Sequence, residues 1–223
     1  MKKGLTSALL ATTILGAGLA VSSHVNAATL AEGASTDASV SFKAGDEGQV
    51  IPPVNPTDPT DPTDPGDGGN TGNSGNLAIV YATKTVDFGS DIEIPTKALT
   101  VKSAKDLAIE VGDVRGTNAG WALSVQADQF KSGSDELTGA VLSTGKGKVV
   151  VAEATAGTTT AVSNAVTDLT TAGVALNAVK NTGSGVTVDT LAAGDISLTV
   201  PAGVAKAEAY STKMNWTLSD VPA

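Results

Sequence analysis

Two tryptophans and the residues around them are the best-suited groups in this chain for recognition chemistry. Trp121 lies in Gly120-Trp121-Ala122-Leu123-Ser124-Val125, Trp216 lies in Asn215-Trp216-Thr217-Leu218-Ser219-Asp220-Val221-Pro222, and there is no third tryptophan. Alternate side chains of a strand share a face, so each Trp points the same way as the Leu two residues on. An exposed indole stacks on a sugar ring, and a neighbouring leucine widens that apolar platform. The same pattern equally suits a core-facing strand in which both side chains are buried. The sequence leaves both readings open.

Charged groups offer fewer possibilities. Arg115 is the only arginine and stands two residues after Asp113, on the same face of an extended stretch, so an Asp-Arg pair is expected. Such a pair pins the loop before Trp121, or leaves the guanidinium to contact a carboxylate ligand. Glycan hydrolases can work with two carboxylates, and Asp91 with Glu93 and Asp135 with Glu136 are the densest acidic spots. Asp135 and Glu136 are adjacent in a Gly/Ser-rich turn, so they point apart. Asp91 and Glu93 share a face, but nothing in the sequence points to an apolar pocket that would raise the pKa of either. No catalytic residue is assigned.

The N-terminus reads as an export signal. Lys2 and Lys3 precede an apolar stretch from Leu5 to Val21, and Val25-Asn26-Ala27 offers the small residues of a cleavage site, placed after Ala27. The single histidine, His24, lies in the removed segment and the chain has no cysteine. Ser-His-Asp, Cys-His and ordinary zinc sites are thereby excluded, no metal or cofactor is implied, and stability must come without disulfides. Without Lys2 and Lys3 the 14 basic residues fall to 12 against 23 acidic ones, a net charge of −11. That balance excludes phosphate-driven nucleic-acid binding. The end, Leu218-Ser219-Asp220-Val221-Pro222-Ala223, reads without an apolar tail or basic stop. Neither sortase anchoring nor a membrane span after signal cleavage is expected, so attachment would come from the fold or from a partner.

Residues 50–76 read as a Pro/Thr/Asp/Gly-rich spacer. Its Thr57-Asp58-Pro59 repeat continues to Pro65, and proline at every third position favours polyproline II. Asp58, Asp61 and Asp64 then line one edge about 9 Å apart, too far for one calcium ion to bridge. Residues 28–49 precede the spacer, and Ala38-Ser39-Val40-Ser41-Phe42-Lys43 alternates apolar and polar residues like one strand. This segment is either a strand of the main domain, which makes the spacer a surface excursion, or an N-terminal tail.

Residues 77–223 read as β throughout. Candidate strands are Leu77 to Tyr81, Thr85 to Phe88, Leu107 to Val111, Gly120 to Ala127, Leu137 to Leu142, Lys148 to Ala152, Ile196 to Val200 and Lys206 to Leu218. Ala161 to Lys180 is ambiguous: Ala165, Leu169, Ala172, Leu176 and Val179 have helical spacing, but Thr170-Thr171 and Gly173 oppose a long helix. The expected fold is all-β, an antiparallel sandwich-like single domain with a Pro/Asp/Thr-rich surface insert or linker.

Several blocks in order give a resemblance. Val86-Asp87-Phe88-Gly89, Asp113-Val114-Arg115-Gly116-Thr117 before Gly120-Trp121, Leu137-Thr138-Gly139-Ala140, Leu198-Thr199-Val200-Pro201-Ala202-Gly203, and Tyr210 ahead of Trp216-Thr217-Leu218-Ser219-Asp220-Val221-Pro222 resemble the WxL-domain surface proteins of low-GC Gram-positive bacteria. Ala122 departs from the more usual Thr at the middle position, which Thr217 keeps. The resemblance implies a secreted, non-enzymatic, cell-surface protein held non-covalently on the wall, through peptidoglycan or another wall glycan. It implies that Trp121, Leu123, Trp216 and Leu218 form or support the attachment surface, with Asp113, Arg115 and Tyr210 supporting. The alternative is a structural subunit that binds sister surface proteins rather than glycan.

Overall fold

Short runs of Val, Ile, Leu and Thr, punctuated by Gly, Asn and Asp, build antiparallel strands here because branched side chains pack on a pleated surface while the punctuating residues accept turn geometry. The structure, a computed structural model, describes residues 36–58, 66–153 and 160–223. The expected leader, with cleavage expected after Ala27, and the carboxylates Asp61 and Asp64 of the proline-rich run lie outside them. Residues 1–41 and 42–223 are separate units; in the first, the described residues 36–41 are exposed and form no strand.

In chain order the strands are β1 (Leu77–Ala82), β2 (Leu99–Lys102), β3 (Leu107–Asp113), β4 (Trp121–Ala127), β5 (Lys131–Ser132), β6 (Asp135–Glu136), β7 (Val141–Thr144), β8 (Lys148–Val151), β9 (Val162–Ser163), β10 (Gly173–Ala178), β11 (Gly185–Leu191), β12 (Ile196–Val200) and β13 (Met214–Ser219). They assemble as β1-β3-β11-β8, β13-β4-β10-β9 and β2-β12-β7, with β5-β6 as a small ribbon. Every pairing between these strands is antiparallel.

The first two sheets face one another. Ile109 and Val111 of β3 meet Trp121 and Leu123 of β4 and Leu176 and Ala178 of β10, with Leu77, Ile79, Trp216 and Leu218 at the margin. A second apolar cluster continues along β4 through Val125 and Ala127 to Phe130, Leu142, Leu169, Ile196 and Leu198. The fold is therefore the all-β sandwich expected from the sequence.

The described residues on either side of the proline-rich run, 50–58 and 66–76, lie in the same unit as the sheets. Ile51 packs on Ala78 and Val80 at the outer face of β1, and the Val54 amide donates to Glu110 Oε2 at 3.0 Å. This covering explains why β3 is buried on both faces along its whole length. Gly112 is needed there, since a Cβ would meet the Ile51 side chain at 2.9 Å. The return leg is held too: Val50 bridges Ser74, Asn70 bridges Tyr81, and the Tyr81 hydroxyl donates to Asp67 at 2.6 Å.

Several strand expectations differ in detail. Residues 38–43 form no strand, and Val40 and Phe42 are 77% and 89% exposed. Thr85 to Phe88 is a loop whose Val86 and Phe88 pack inward without a ladder partner. Gly139, at φ +75°, turns the chain so that β7 starts only at Val141, and the last strand starts at Met214 rather than Lys206. The ambiguous stretch from Ala161 to Lys180 supplies β9 and β10.

Candidate functional site

The two Trp-x-Leu motifs occupy adjacent strands of one sheet. Trp216 pairs with Val125, Thr217 with Ser124, Leu218 with Leu123 and Ser219 with Ala122. On β4, Trp121, Leu123, Val125 and Ala127 all point inward, and on β13 the inward set is Met214, Trp216 and Leu218. The shared face of each Trp and Leu follows from strand alternation.

Burial separates the two copies. Trp121 and Leu123 are each 0% exposed. The Trp121 indole N–H donates to the Gly183 carbonyl at 3.0 Å, which satisfies its one polar atom inside the core. Two glycines make the slot. A Cβ on Gly183 would overlap Ala178 and the indole, and one on Gly120 would overlap the Ala178 carbonyl and approach Pro222. Both glycines take positive φ, +75° and +85°, which further favours glycine. Trp216 and Leu218 are half-buried, and Trp216 touches both apolar clusters.

Arg115 forms the expected pair with Asp113. Its Nε donates to Asp113 Oδ1 at 3.0 Å, and one terminal nitrogen donates to Oδ2 at 2.8 Å and to the Gly120 carbonyl at 2.8 Å. Asp113 also accepts the Arg115 backbone N–H at 3.1 Å. The hydrogen bonds that Arg115 donates to Asp113 raise the Arg115 pKa, and Asp220 adds to this at longer range. Asp113 therefore anchors Arg115, and Arg115 fixes the carbonyl immediately before Trp121.

The blocks around both tryptophans converge at one end of the sandwich. There Arg115, Leu218, Ser219 and Asp220 border a shallow cleft of about 660 Å³ with Leu77 to Ile79 and the asparagines Asn73 and Asn76. Tyr210 is not part of it: it sits in the second cluster, its hydroxyl accepting the Lys206 backbone N–H at 3.1 Å. Sequence reasoning missed Asn73 and Asn76, which lie in a Gly/Asn/Ser run that reads only as spacer. It also missed Gly183, because a carbonyl acceptor leaves no side-chain signal.

The carboxylate pairs take up other roles. Asp135 pairs with Lys206 and Glu136 with Lys131, each at 2.7 Å, at exposed positions. Asp91 and Glu93 are exposed on a loop. The carboxyl with the ionisation most clearly altered in a catalytic direction, Asp189, is raised to about 6 by burial. It lies inside the sheet, where Ser163 donates to it at 2.8 Å. No group of His, Asp and Glu that could hold a metal ion occurs among the described residues.

A β-sandwich in which two Trp-x-Leu strands run side by side defines a class of surface domain. The chain matches the family model described as WxL domain surface cell wall-binding over residues 29–222, and it belongs to that family. No curated protein and no solved structure matches it. The family consists of surface proteins that bind the cell wall. No helix among the described residues is long and apolar enough to cross a membrane.

Proposed function

We propose that this protein attaches non-covalently to wall peptidoglycan through the cleft between Arg115 and Asp220, without catalysing a reaction. The observation that carries the reading is the meeting of the Asp113–Trp121 block and the Trp216–Pro222 block at that one cleft. Amides of Asn73 and Asn76 and the hydroxyl of Ser219 suit the amide- and hydroxyl-rich surface of an N-acetylated glycan. Leu77 and Leu218 supply apolar flanks for its ring faces. Trp121 and Leu123 support this surface from within, while Trp216 and Leu218 carry support to its edge. The non-enzymatic reading draws on the carboxylate pairs: Asp135 and Glu136 each pair with a surface lysine, and Asp91 and Glu93 are exposed on a loop.

The test is co-sedimentation of the exported chain, residues 28–223, with purified sacculi. Asn73→Ala and Asp220→Ala change exposed residues and are expected to keep the fold, checked by thermal melting. Each is expected to weaken binding about tenfold, equivalent to roughly 1.4 kcal/mol. Wild type remaining in solution while folded would overturn the reading. Solubilisation of the sacculi would overturn its non-enzymatic part. The second reading, a subunit that binds sister surface proteins, draws on the unpaired outer edge of β13.

A further inference from the structure

β1 and β13 are edge strands of the two facing sheets. The Arg115 cleft lies in the seam between them, with Leu77 to Ile79 on one side and Leu218 to Asp220 on the other. The return leg runs along the outer edge of β1. The Thr71 amide donates to the Val80 carbonyl at 3.1 Å and the Ala82 amide to the Gly69 carbonyl at 2.9 Å. Thr71 Oγ1 and Asn73 Nδ2 both donate to the Ile79 carbonyl, at 2.7 and 3.0 Å. Asn73, Ser74 and Asn76 of this leg thereby become one wall of the cleft. Yet residues 69–76 are only Gly, Asn, Thr and Ser. Glycine loses the most conformational freedom on ordering, and such a leg buries no large apolar side chain to offset that loss. Its position must be imposed from outside.

Two buried polar side chains on neighbouring strands impose it. The register of β1 on β3 shifts between Ile79 and Tyr81, which sets Tyr81 directly opposite Glu110. Tyr81 is 2% exposed and Glu110 0%. The Tyr81 hydroxyl donates to Asp67 Oδ2 at 2.6 Å, and Asp67 Oδ1 accepts the Gly69 amide at 2.9 Å. The leg crosses the Tyr81 ring so closely that a Cβ on Gly69 would meet the ring at 2.4 Å. Burial and then the Asp67 carboxylate push the Tyr81 hydroxyl well above its usual range, so it stays protonated as a donor. Glu110 Oε2 holds the outgoing leg by accepting the Val54 amide at 3.0 Å. The outgoing leg in turn holds the return leg: the Gly75 amide donates to the Gln49 carbonyl at 2.8 Å, and Val50 bridges Ser74.

We propose that Tyr81 and Glu110 are positioning residues for the cleft, a cross-strand pair that clamps both legs and sets Asn73 and Asn76 against Leu218, Ser219 and Asp220. This role rests on the reading of the cleft as the wall-binding site. Neither side chain lines the cleft; each acts through the leg it holds. Tyr81 acts through Asp67 on the start of the return leg, and Glu110 through Val54 on the strip against which Ser74 and Gly75 lie. The stiff part is the β1–β3 ladder, which lends its order to a leg that has little of its own.

Residues 28–223 carrying Tyr81→Phe, Asp67→Ala, Glu110→Gln or Glu110→Met test the proposal by amide exchange and by co-sedimentation with sacculi, both far below each melting temperature. Tyr81→Phe keeps the ring and removes the hydroxyl, and Asp67 is exposed, so both variants should fold. Each is expected to speed exchange at Thr71, Gly75 and Ala82 about tenfold and to weaken sacculus binding about tenfold. Glu110→Gln keeps an oxygen for the Val54 amide and should bind like wild type, whereas Glu110→Met should bind like Tyr81→Phe. A merely stabilising role would lower the melting temperature and leave binding by the folded protein unchanged. Wild-type exchange at Thr71, Gly75 and Ala82 in Tyr81→Phe and Asp67→Ala overturns the clamp. Faster exchange with full binding overturns its role at the cleft. Wild type that stays off sacculi overturns the reading of the cleft itself, and the positioning role with it, before any variant is compared.

Discussion

Leu123 and Leu218 stand directly opposite each other across the antiparallel ladder of β4 and β13. The two motifs therefore share their leucines as a cross-strand pair, and their tryptophans lie on opposite sides of that pair along the strands. Trp121 sits opposite Ala178 of β10, and Trp216 opposite Val125. Leu123→Ala is expected to cost about 2–5 kcal/mol because its site is sealed, and Leu218→Ala less because its site is half open. The double mutant should recover a coupling of about 0.2–1 kcal/mol, measured by urea unfolding of all four proteins.

Trp121→Phe keeps an aromatic ring but strands the buried Gly183 carbonyl. The expected loss is on the order of 1–3 kcal/mol for that unpaired group, with further loss from the smaller ring. Trp216→Phe breaks no hydrogen bond seen here and should cost less. A Trp216 variant more destabilised than its Trp121 counterpart would contradict the burial order of the two.

Arg115→Ala leaves Asp113 as a buried carboxylate and frees the Gly120 carbonyl. Loss of one member of a buried pair costs about 3–5 kcal/mol. Arg115→Lys should recover little of this, because one ammonium cannot reproduce the fork onto both Asp113 oxygens. Thermal unfolding of both variants, in low and moderate salt, checks the ranking.

Asp189 makes stability depend on pH. Burial raises its folded pKa to about 6, above the 3.8 of an unburied carboxyl, so the fold binds the proton more tightly than the unfolded chain. Its contribution is fully present below about pH 4 and is lost as pH rises through about 6. Asp189→Asn should flatten that part of the pH profile. It should also stabilise the protein at pH 7, by up to about 3 kcal/mol if the whole shift is recovered. Urea unfolding from pH 4 to 8 reads both effects.

Short Val-, Ile- and Leu-rich runs bounded by Gly, Asn, Asp or Ser made β1, β3, β4, β8 and β12 legible in the sequence. β10 was obscured by a register shift between Val174 and Leu176, after which Ala175 and Leu176 are both buried and the period of two is lost. β11 was missed because the buried Asp189 interrupts its apolar run, and its partner Ser163 is distant in sequence. The Asp113–Arg115 pair was legible from spacing. The cleft beside it was not, because it forms only when the return leg at Asn73 to Asn76 is laid against the end of β13.

The unequal burial of the two tryptophans gives the protein built-in optical probes. Trp121, sealed and bonded through its indole nitrogen to the Gly183 carbonyl, should emit at the blue end and resist added quencher until the sandwich unfolds. Trp216, touching both apolar clusters at an open seam, should emit further to the red and be quenched in the native state. Any strand that closes the seam should shift the second signal and leave the first unchanged, so occupancy of the β13 edge can be read in solution without a label.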